Sequence, residues 1–484
     1  MTEVETFLQE TQGKAFKEAL ADLYEAFSEF AKDPSDAVNQ NLVMQKSSLF
    51  VSRVSNVNEG LKDYQSTINK KITDDVNRIN ELGRKIATLN SQIQKIESAG
   101  VETAMDMRDT RDLCLDELSK LAKISYTELP DGVVKLQIDG VEFVTENNVY
   151  EMALQEDLST GFKTPYWPQL SDTEKGTYTY VFNTQNANAV NNTDVGEVKA
   201  LLVARGDHHA NYLDMQGLTP QEYEWGLSNS IMLNTQAELD TLYHTMITAI
   251  NDQICPNITA GEKFGAGAFT PPIAATDTNG KTIHITENTK ILDADNCCVG
   301  SDGKIPPQEV FTRIGCERYT QVNVTIDGEN KTLYVYNEED PKDTSKCYTI
   351  DYTKVNPKLV EEESLLAHKT QTGEIAYNLG AQLEGIWDNA DYTINPLDKT
   401  PCNFTDFYIK WIGEIGTTGS IYDTTARSLE GTRDTIENNR QMVVGVSSDE
   451  ELTNMIKYQQ AYNAASRYIN VVSTMIDYLL QSVS

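Results

Sequence analysis

Residues 50–97 read FVSRVSNVNEGLKDYQSTINKKITDDVNRINELGRKIATLNSQIQKIE. Apolar side chains recur along this stretch in steps of three and four residues, with one slip in register, which predicts one face of an α-helix. The stripe consists of Phe50, Val54, Val57, Leu61, Tyr64, Ile68, Ile72, Val76, Ile79, Leu82, Ile86, Leu89, Ile93 and Ile96. With Asp36 as N-cap, a helix over about 36–97 would be on the order of 90 Å long. No compact core needs that length, so other helices must pack along its side.

The helical pattern continues on both sides of this rod and is interrupted twice by strand patterns. Helical stripes cover residues 16–30, 105–121, 196–205, 228–254 and 406–484. Two-residue alternation between turn signals predicts a first group of strands at 125–129, 133–138, 141–145, 149–154 and 178–182. The second group is predicted at 281–285, 322–326, 332–336 and 348–352.

These patterns predict an α+β multidomain protein. Its long α-helical coiled-coil or bundle core carries two inserted β-rich domains. The predicted domains are a helical rod (1–122), a small β-rich insert (123–194), a helical segment that returns to the rod (195–254), a variable β-rich outer domain (255–400) and a C-terminal helical domain (401–484).

Composition and charge exclude several classes of partner. The chain has 40 Lys and Arg against 73 Asp and Glu, a formal net charge of -33. Such a surface repels phosphate backbones and anionic lipids, so neither a nucleic acid nor a membrane is expected as a partner. The N-terminus lacks the basic and apolar regions of a cleaved secretory signal.

Residue types that carry chemistry do not form any recognisable catalytic pattern. The seven cysteines include no CxxC pair, so zinc is disfavoured, while a disulfide within 255–402 stays open. His208 and His209 are expected in a solvated turn. Asp293 and Asp295 resemble the start of a calcium loop, but Lys304 stands where the closing Glu is needed. We therefore predict no catalytic residue, metal or cofactor, and no enzyme.

A second carboxylate pattern lies on the short helix 105–121. Asp106, Asp109 and Asp112 lie three residues apart, with Arg108 and Arg111 between them. Paired carboxylates can perform acid–base chemistry, but interleaved arginines favour surface ion pairs. We therefore interpret this face as a solvated, ion-paired surface.

The helix predicted at 448–483 carries two parallel apolar stripes. The first consists of Met455, Tyr458, Tyr462, Ala465, Ile469, Val472, Ile476, Leu479 and Val483. The second consists of Ala461, Ala464, Tyr468, Val471, Met475 and Tyr478. A helix that is apolar on two stripes packs against at least two neighbours. Periodicity alone leaves open whether those neighbours belong to the same chain or to other subunits.

The C-terminal stretch resembles a known family. Residues 444–452 read VGVSSDEEL, 455–465 read MIKYQQAYNAA and 475–480 read MIDYLL. This pattern is similar to the C-terminal domain of the flagellar rod, hook and hook-associated axial proteins. The acidic entry at 449–451 also suits a helix N-terminus.

Three further segments resemble the hook–filament junction branch of that family, hook-associated protein 1. They are INEL with IATLNSQI (79–82 and 86–93), DTRD with LDELS (109–112 and 115–119) and GEVKALLVAR (196–205). With the tail they cover about half the chain in the family's order. The stretch 255–397 resembles nothing that we can name.

The resemblance implies a structural role. It implies export through the flagellar type III system without a cleaved signal peptide, and an extracellular place in the flagellum between hook and filament. The implied partners are the hook protein, neighbouring hook-associated and filament subunits, further copies of this chain in a ring, and a type III export chaperone. The implied assembly residues are Leu452, Met455, Ile456, Tyr458, Ala461, Tyr462, Ala465, Ile469, Val472, Met475, Ile476, Leu479 and Leu480.

Two departures from the family and two alternatives remain. The family begins with a helical segment that pairs with the C-terminal helix, and this chain is expected to lack it, which predicts a tail that is loosely ordered in isolation or self-associates. Cysteines are also unusual in external flagellar proteins. The alternatives are another axial subunit of the flagellin type, or an adhesin or glycan-binding module in 255–400 on a flagellar scaffold. An enzyme hidden in that region is disfavoured by the lack of a catalytic pattern.

Overall fold

The computed structural model describes residues 12–98, 103–185, 187, 193, 195–277, 280–326, 328–444 and 448–483. Two compact units divide the chain after Gly416. The described α-helices are α1 (Gln12–Lys32), α2 (Ala37–Glu97), α3 (Met105–Leu121), α4 (Glu197–Arg205), α5 (Pro220–Trp225), α6 (Ile231–Ile254), α7 (Ala260–Phe264), α8 (Pro357–Glu361), α9 (Tyr377–Gly385), α10 (Phe404–Val444) and α11 (Ser448–Val483). In the part of the chain that the structure describes, none of these helices is both long and apolar enough to cross a bilayer.

Helix α2 is the predicted rod. The carboxylate of Asp36 caps it by accepting a hydrogen bond from the Val38 amide at 2.9 Å. The helix runs for 61 residues, and its predicted stripe is buried except at Tyr64 and Ile96, which are half-buried. Helices α1, α3, α4 and α6 pack along it. The expected lateral packing of a helix too long for one core is therefore found within this chain.

The first β-rich insert contains two small antiparallel sheets. One is formed by β1 (Ile124–Glu128), β2 (Val134–Ile138) and β3 (Val141–Val144), and the other by β4 (Ala153–Glu156) and β5 (Lys163–Tyr166). The strand predicted at 178–182 is reduced to a single bridge between Tyr180 and Tyr166, flanked by a hydrogen bond from the Val181 amide to the Pro165 carbonyl at 3.0 Å. Pro165 has no N–H to donate in return, so the ladder does not extend.

The strand predicted at 149–154 is also displaced, because β4 begins only at Ala153. The Met152 amide donates to Oδ1 of Asn80 at 3.0 Å, and Nδ2 of Asn80 donates to the Met152 carbonyl at 2.9 Å. A side chain of the rod therefore takes the place of a neighbouring strand at this residue.

Asparagine carboxamides attach the insert to α2 at three levels. Asn80 binds Met152, and Asn90 binds both backbone groups of Val134, with Nδ2 to carbonyl at 2.8 Å and amide to Oδ1 at 3.1 Å. Asn69 receives the Lys163 amide and donates to the Gly161 carbonyl at 3.1 Å. Asn80 and Asn90 are buried, so each satisfies two backbone groups that water cannot reach.

Replacing Asn80 by alanine is expected to lower the free energy of unfolding by about 2–5 kcal/mol, because the Met152 amide and carbonyl would stay buried without partners. Urea-induced unfolding followed by circular dichroism measures this change. Asn77→Ala is the matched control, since Asn77 is exposed on the same helix. Equal losses in the two variants would show that the carboxamide of Asn80 contributes nothing beyond helix propensity.

The outer β-rich region is built on a six-stranded sheet with the order β6-β9-β12-β11-β7-β8. Its strands are β6 (Asn257–Thr259), β7 (Ile273–Asp277), β8 (Thr282–Ile285), β9 (Lys290–Leu292), β11 (Tyr319–Ile326) and β12 (Glu329–Tyr336). A separate antiparallel pair is formed by β10 (Phe311–Arg313) and β13 (Thr353–Val355). This pair shares one hydrophobic core with α2 and α6. The predicted strands at 281–285, 322–326 and 332–336 are confirmed, the last two as parts of longer strands.

The strand predicted at 348–352 is wrong because carboxylates bind its amides. The Ile350 amide donates to Oδ1 of Asp240 at 2.7 Å, and the Tyr348 amide donates to Glu339 at 3.0 Å. Asp240 also accepts the Tyr212 amide at 2.9 Å and is buried on α6, and this burial raises its pKa to about 7. A single carboxylate thus holds two loops against one helix.

Candidate assembly surface

Helix α11 is the element whose sequence carries the predicted assembly residues. Its bounds, Ser448–Val483, agree with the prediction. Asp449, Glu450 and Glu451 occupy its first turn, where negative charge is favoured by the partial positive charge of the helix N-terminus. The rest of the helix carries little charge compared with the whole chain. Residues 452–477 contain only three charged residues: Lys457, Arg467 and Asp477.

Every described side chain between 449 and 477 on α11 is exposed. Tyr462 is 76% exposed, Ile469 65% and Met475 62%. The predicted assembly residues found exposed are Leu452, Met455, Ile456, Tyr458, Ala461, Tyr462, Ala465, Ile469, Val472, Met475 and Ile476. The side chains of Leu479 and Leu480, which were also predicted, lie outside the described residues.

The two apolar stripes are therefore presented to solvent over about six turns of helix, from Met455 to Ile476. Monomeric proteins rarely expose contiguous apolar surface of this extent, and a large exposed patch usually marks an interface. Leu452 and Ile456 lie outside both stripes, on the face that also carries Asn463 and Asn470. The geometry thus separates the predicted residues into a two-stripe surface and two outlying side chains.

The distal part of α10, within the same unit of the chain, carries a further stripe that the sequence analysis did not identify. Tyr422, Leu429 and Ile436 recur every seven residues and are 42%, 61% and 62% exposed. Their spacing is the signal that would have identified them, since a seven-residue repeat keeps side chains on one face. Each helix of this unit therefore presents an apolar face.

At the start of α10, within the first unit, two carboxyl groups share one donor. Nδ2 of Asn395 lies 2.9 Å from Oε1 of Glu238 and 3.1 Å from Oε2 of Glu414. Glu238 is fully buried on α6, and its Oε2 has no hydrogen-bond partner among the described residues. Burial and then the neighbouring carboxylate raise the pKa of Glu238, and burial raises the pKa of Glu414. The pair thus favours a state that keeps a proton.

Replacing Glu238 by glutamine is expected to stabilise the protein at pH 8 and not at pH 4. Because the folded pKa values of both carboxyls are raised, their stabilising contribution is complete below the unfolded pKa and is lost as pH rises through the folded pKa. The neutral amide removes that loss, which we expect to be about 1–3 kcal/mol. Unfolding by urea at the two pH values measures it, with the exposed Glu224→Gln as control. A Glu238→Gln variant that is less stable at pH 8 would contradict this account.

The remaining chemical groups are held in structural contacts. His208 lies in a half-exposed bend, as predicted, but its imidazole pairs with Asp207 at 2.6 Å and then with Asp214 at 3.2 Å, and these contacts raise its pKa to about 10. Lys263 lies 3.1 Å from Asp295 and 3.7 Å from Asp293, so a cation of the chain already faces these two carboxylates. Across the described residues, no group of three or more metal-ligating side chains was found. All seven cysteines are free thiols.

The ion pairs predicted on α3 have different partners from those expected. Arg108 binds Glu97 at 2.6 Å and Glu128 at 2.5 Å rather than the aspartates of its own helix. Arg111 is not on the surface at all: it is 2% exposed and donates to Oδ1 of Asn90 and to the Gly132 carbonyl. Sequence neighbours i±1 point to different faces of a helix, and partners from other elements are closer.

The aromatic residues of the outer region test the glycan-binding alternative. Trp387 is buried at 6% exposure, and the well-exposed tyrosines in this region, Tyr352 and Tyr377, belong to different loops and helices. In the described part of 255–400, no exposed tryptophan offers a stacking platform for a sugar ring. The structure therefore gives no specific support to that alternative.

Comparisons with known proteins agree on one family. The model of the helical domain of the flagellar hook-associated protein FlgK matches residues 1–269, and that of the C-terminal region of flagellar basal body rod FlgEFG proteins matches residues 443–482. The flagellar hook-associated protein 1 of Salmonella typhimurium is 22% identical over 99% of this chain and 83% of its own length. The protein of the same name from Bacillus subtilis is 21% identical over 100% of this chain and 79% of its own length.

A solved structure has the same fold. The flagellar hook junction protein FlgK from Burkholderia pseudomallei aligns with 92% of this chain and 98% of its own, at a TM-score of 0.51 and 13% sequence identity. The α+β multidomain architecture built on long helices is therefore shared with that protein.

Proposed function

The chain belongs to the family of the flagellar hook-associated protein FlgK, and we propose that it is the structural subunit that joins the flagellar hook to the filament. As a hook-associated protein it is a component of the extracellular flagellum. The single observation that carries the proposal is the exposure of both apolar stripes of α11, in the segment that matches the shared C-terminal region of axial proteins.

The stripes explain how such a subunit assembles. Burying a large apolar side chain stabilises an interface by about 1.5–3 kcal/mol before the costs of association are subtracted. Nine side chains of this size on α11 are more than half exposed: Leu452, Met455, Tyr458, Tyr462, Tyr468, Ile469, Val471, Met475 and Ile476. Their burial against helices of neighbouring subunits therefore supplies enough free energy to offset the loss of freedom on joining the assembly.

The low charge of α11 suits the interior of a tubular assembly. Its three charges between 452 and 477 contrast with the net charge of -33 of the whole chain. Charged residues are depleted from the cores of protein interfaces, because each must be paired or desolvated. The acidic surface of the rest of the chain keeps the monomer soluble before assembly.

The partners follow from this position. They are the hook protein on one side, hook-associated and filament subunits on the other, and further copies of this chain around the ring. Export through the type III channel requires an unfolded chain whose apolar stripes are covered, and an export chaperone bound to α11 would cover them. The chain performs no catalysis in this role.

Deletion of the encoding gene tests the proposal. The mutant is expected to form hooks without filaments and to release unpolymerised flagellin into the medium, because flagellin has no surface on which to start polymerising. Electron microscopy and an immunoblot of the medium measure both effects, and the intact gene supplied in trans should restore filaments. Filaments of normal number and length in the mutant would exclude the junction role.

A further inference from the structure

A cavity of about 350 Å³ lies beside the β10–β13 strand pair in the outer region. Four cationic side chains contribute to its lining: Arg313, Arg318, Lys354 and Lys358. Two acidic side chains, Glu309 and Glu317, also line it. A concentration of cations is unusual in a chain with a net charge of -33.

Arg313 is buried in the cavity wall, and no carboxylate of the described residues pairs with it. It is 3% exposed, and its hydrogen bonds go to the backbone carbonyls of Lys346 at 2.8 Å, Asn337 at 2.9 Å and Glu317 at 3.5 Å. Its Nε has no hydrogen-bond partner among the described residues. The guanidinium lies 4.7 Å from the ring centre of Tyr348, which shields it further from water.

The charge of the neighbouring Arg318 is compensated by carboxylates, but its Nε donor has no partner among the described residues. It is 4% exposed, pairs with Asp252, and lies 3.7 Å from Glu309. Glu309 is itself occupied, because it also accepts a hydrogen bond from the Tyr348 hydroxyl at 2.6 Å. Arg318 therefore has two carboxylates beside it, whereas no ion pair of Arg313 is found among the described residues.

The rim of the cavity carries exposed lysines, whose flexible side chains can turn towards a bound group. Lys354 and Lys358 are exposed, and so is Glu317, whose carboxylate can therefore turn into solvent. With Glu309 already occupied by Arg318 and Tyr348, the cavity presents the charge of Arg313 and of two lysines to an incoming group.

A buried cation without a partner costs several kcal/mol, and a guanidinium cannot lose its proton to escape that cost. An anion in the cavity would supply the missing negative charge beside Arg313, Lys354 and Lys358. Arginine and lysine together are the usual ligands of tetrahedral oxyanions, the former through directed donors and the latter through a point charge. We propose that this cavity binds a small oxyanion of the phosphate or sulfate class.

The test is a calorimetric titration of the full chain with inorganic phosphate, repeated with sulfate and with acetate, at constant ionic strength set by chloride. The expected result is saturable binding of phosphate or sulfate with one site per chain. Lys354→Gln/Lys358→Gln should weaken it at least tenfold, a loss of about 1.4 kcal/mol of binding free energy. Glu317→Gln should tighten it, because one repelling carboxylate is removed.

The control is Lys175→Gln/Lys281→Gln, which changes the charge equally at exposed lysines elsewhere in the first unit and should leave the affinity unchanged. All three variants alter only exposed side chains, so they are expected to fold and a change in affinity can be assigned to the site. Saturation by acetate alone would assign the site to a carboxylate and overturn the proposal. Absence of saturable binding, or equal weakening by the control pair, would also overturn it.

Discussion

Replacing Ile469 and Ile476 together by aspartate is expected to abolish filament formation in a strain that otherwise lacks the gene. Both side chains are more than half exposed in the free chain, so the substitutions should leave the unfolding midpoint unchanged. In an assembly that buries the first stripe, however, each unpaired carboxylate costs several kcal/mol. Two such costs exceed what the remaining apolar contacts can offset, so hooks without filaments are expected by electron microscopy.

The matched control places the same charges on the opposite face of the same helix. Asn463 and Asn470 are also seven residues apart and lie outside both stripes. Asn463→Asp/Asn470→Asp should therefore keep most filaments. If the two double variants lose filaments to the same degree, net charge on α11 matters and the stripes do not.

Replacing Gly196 by alanine is expected to cost about 3–5 kcal/mol of stability, among the largest effects of any single methyl group in this chain. Gly196 precedes α4 with φ +100° and ψ +139°, a conformation open essentially to glycine alone. An added Cβ would also lie 2.7 Å from the Cα of Ala122, and backbone cannot move aside as a side chain can. Thermal or urea unfolding measures the loss.

Gly161→Ala separates the two causes of that loss. Gly161 has φ +70°, but nothing lies within 4 Å of a Cβ built there. Its substitution should cost only the backbone strain, about 1–2 kcal/mol. Equal losses at the two positions would mean that the close approach to Ala122 contributes nothing.

The helices were predictable because their signal is local. The bounds of α3 and α11 agree with those predicted from the sequence, and the start of α2 differs from its prediction by one residue. The agreement is close because the apolar periodicity and the capping residues of each helix lie within or beside that helix. The outer sheet was predicted only in β8 and in the β11–β12 hairpin, where turn residues fix the register of β11 on β12.

Two of the failures have a common physical cause. Residues 149–154 and 348–352 have strand-like composition, but the side chains of Asn80 and Asp240 bind backbone amides that strand pairing requires. These bonds join residues that are 72 and 110 positions apart, and no periodicity in the sequence indicates them. The contacts of the asparagines on α2 were missed for the same reason. Periodicity shows only that these asparagines lie beside the apolar stripe, and not what they bind.

The apolar stripes of α11 could be predicted from the sequence, but their environment could not. Two apolar stripes imply two neighbours, yet periodicity is identical whether those neighbours lie in the same chain or in another. The side chains along 449–477 are exposed in this chain, which supports the proposal that their neighbours are other subunits. The stripe of Tyr422, Leu429 and Ile436 was missed because polar residues stand between its members, which leaves one apolar residue per two turns.

Site-specific photo-crosslinking in flagellated cells tests most directly whether the stripes of α11 are buried against other subunits. A photoreactive phenylalanine analogue would replace Tyr462, which is 76% exposed in the free chain, or Asn463 on the opposite face as a comparison. We expect strong crosslinks from position 462 to flagellar axial subunits, identified by mass spectrometry, and none from the secreted monomer. Position 462 without crosslinks in cells that carry complete filaments would contradict it.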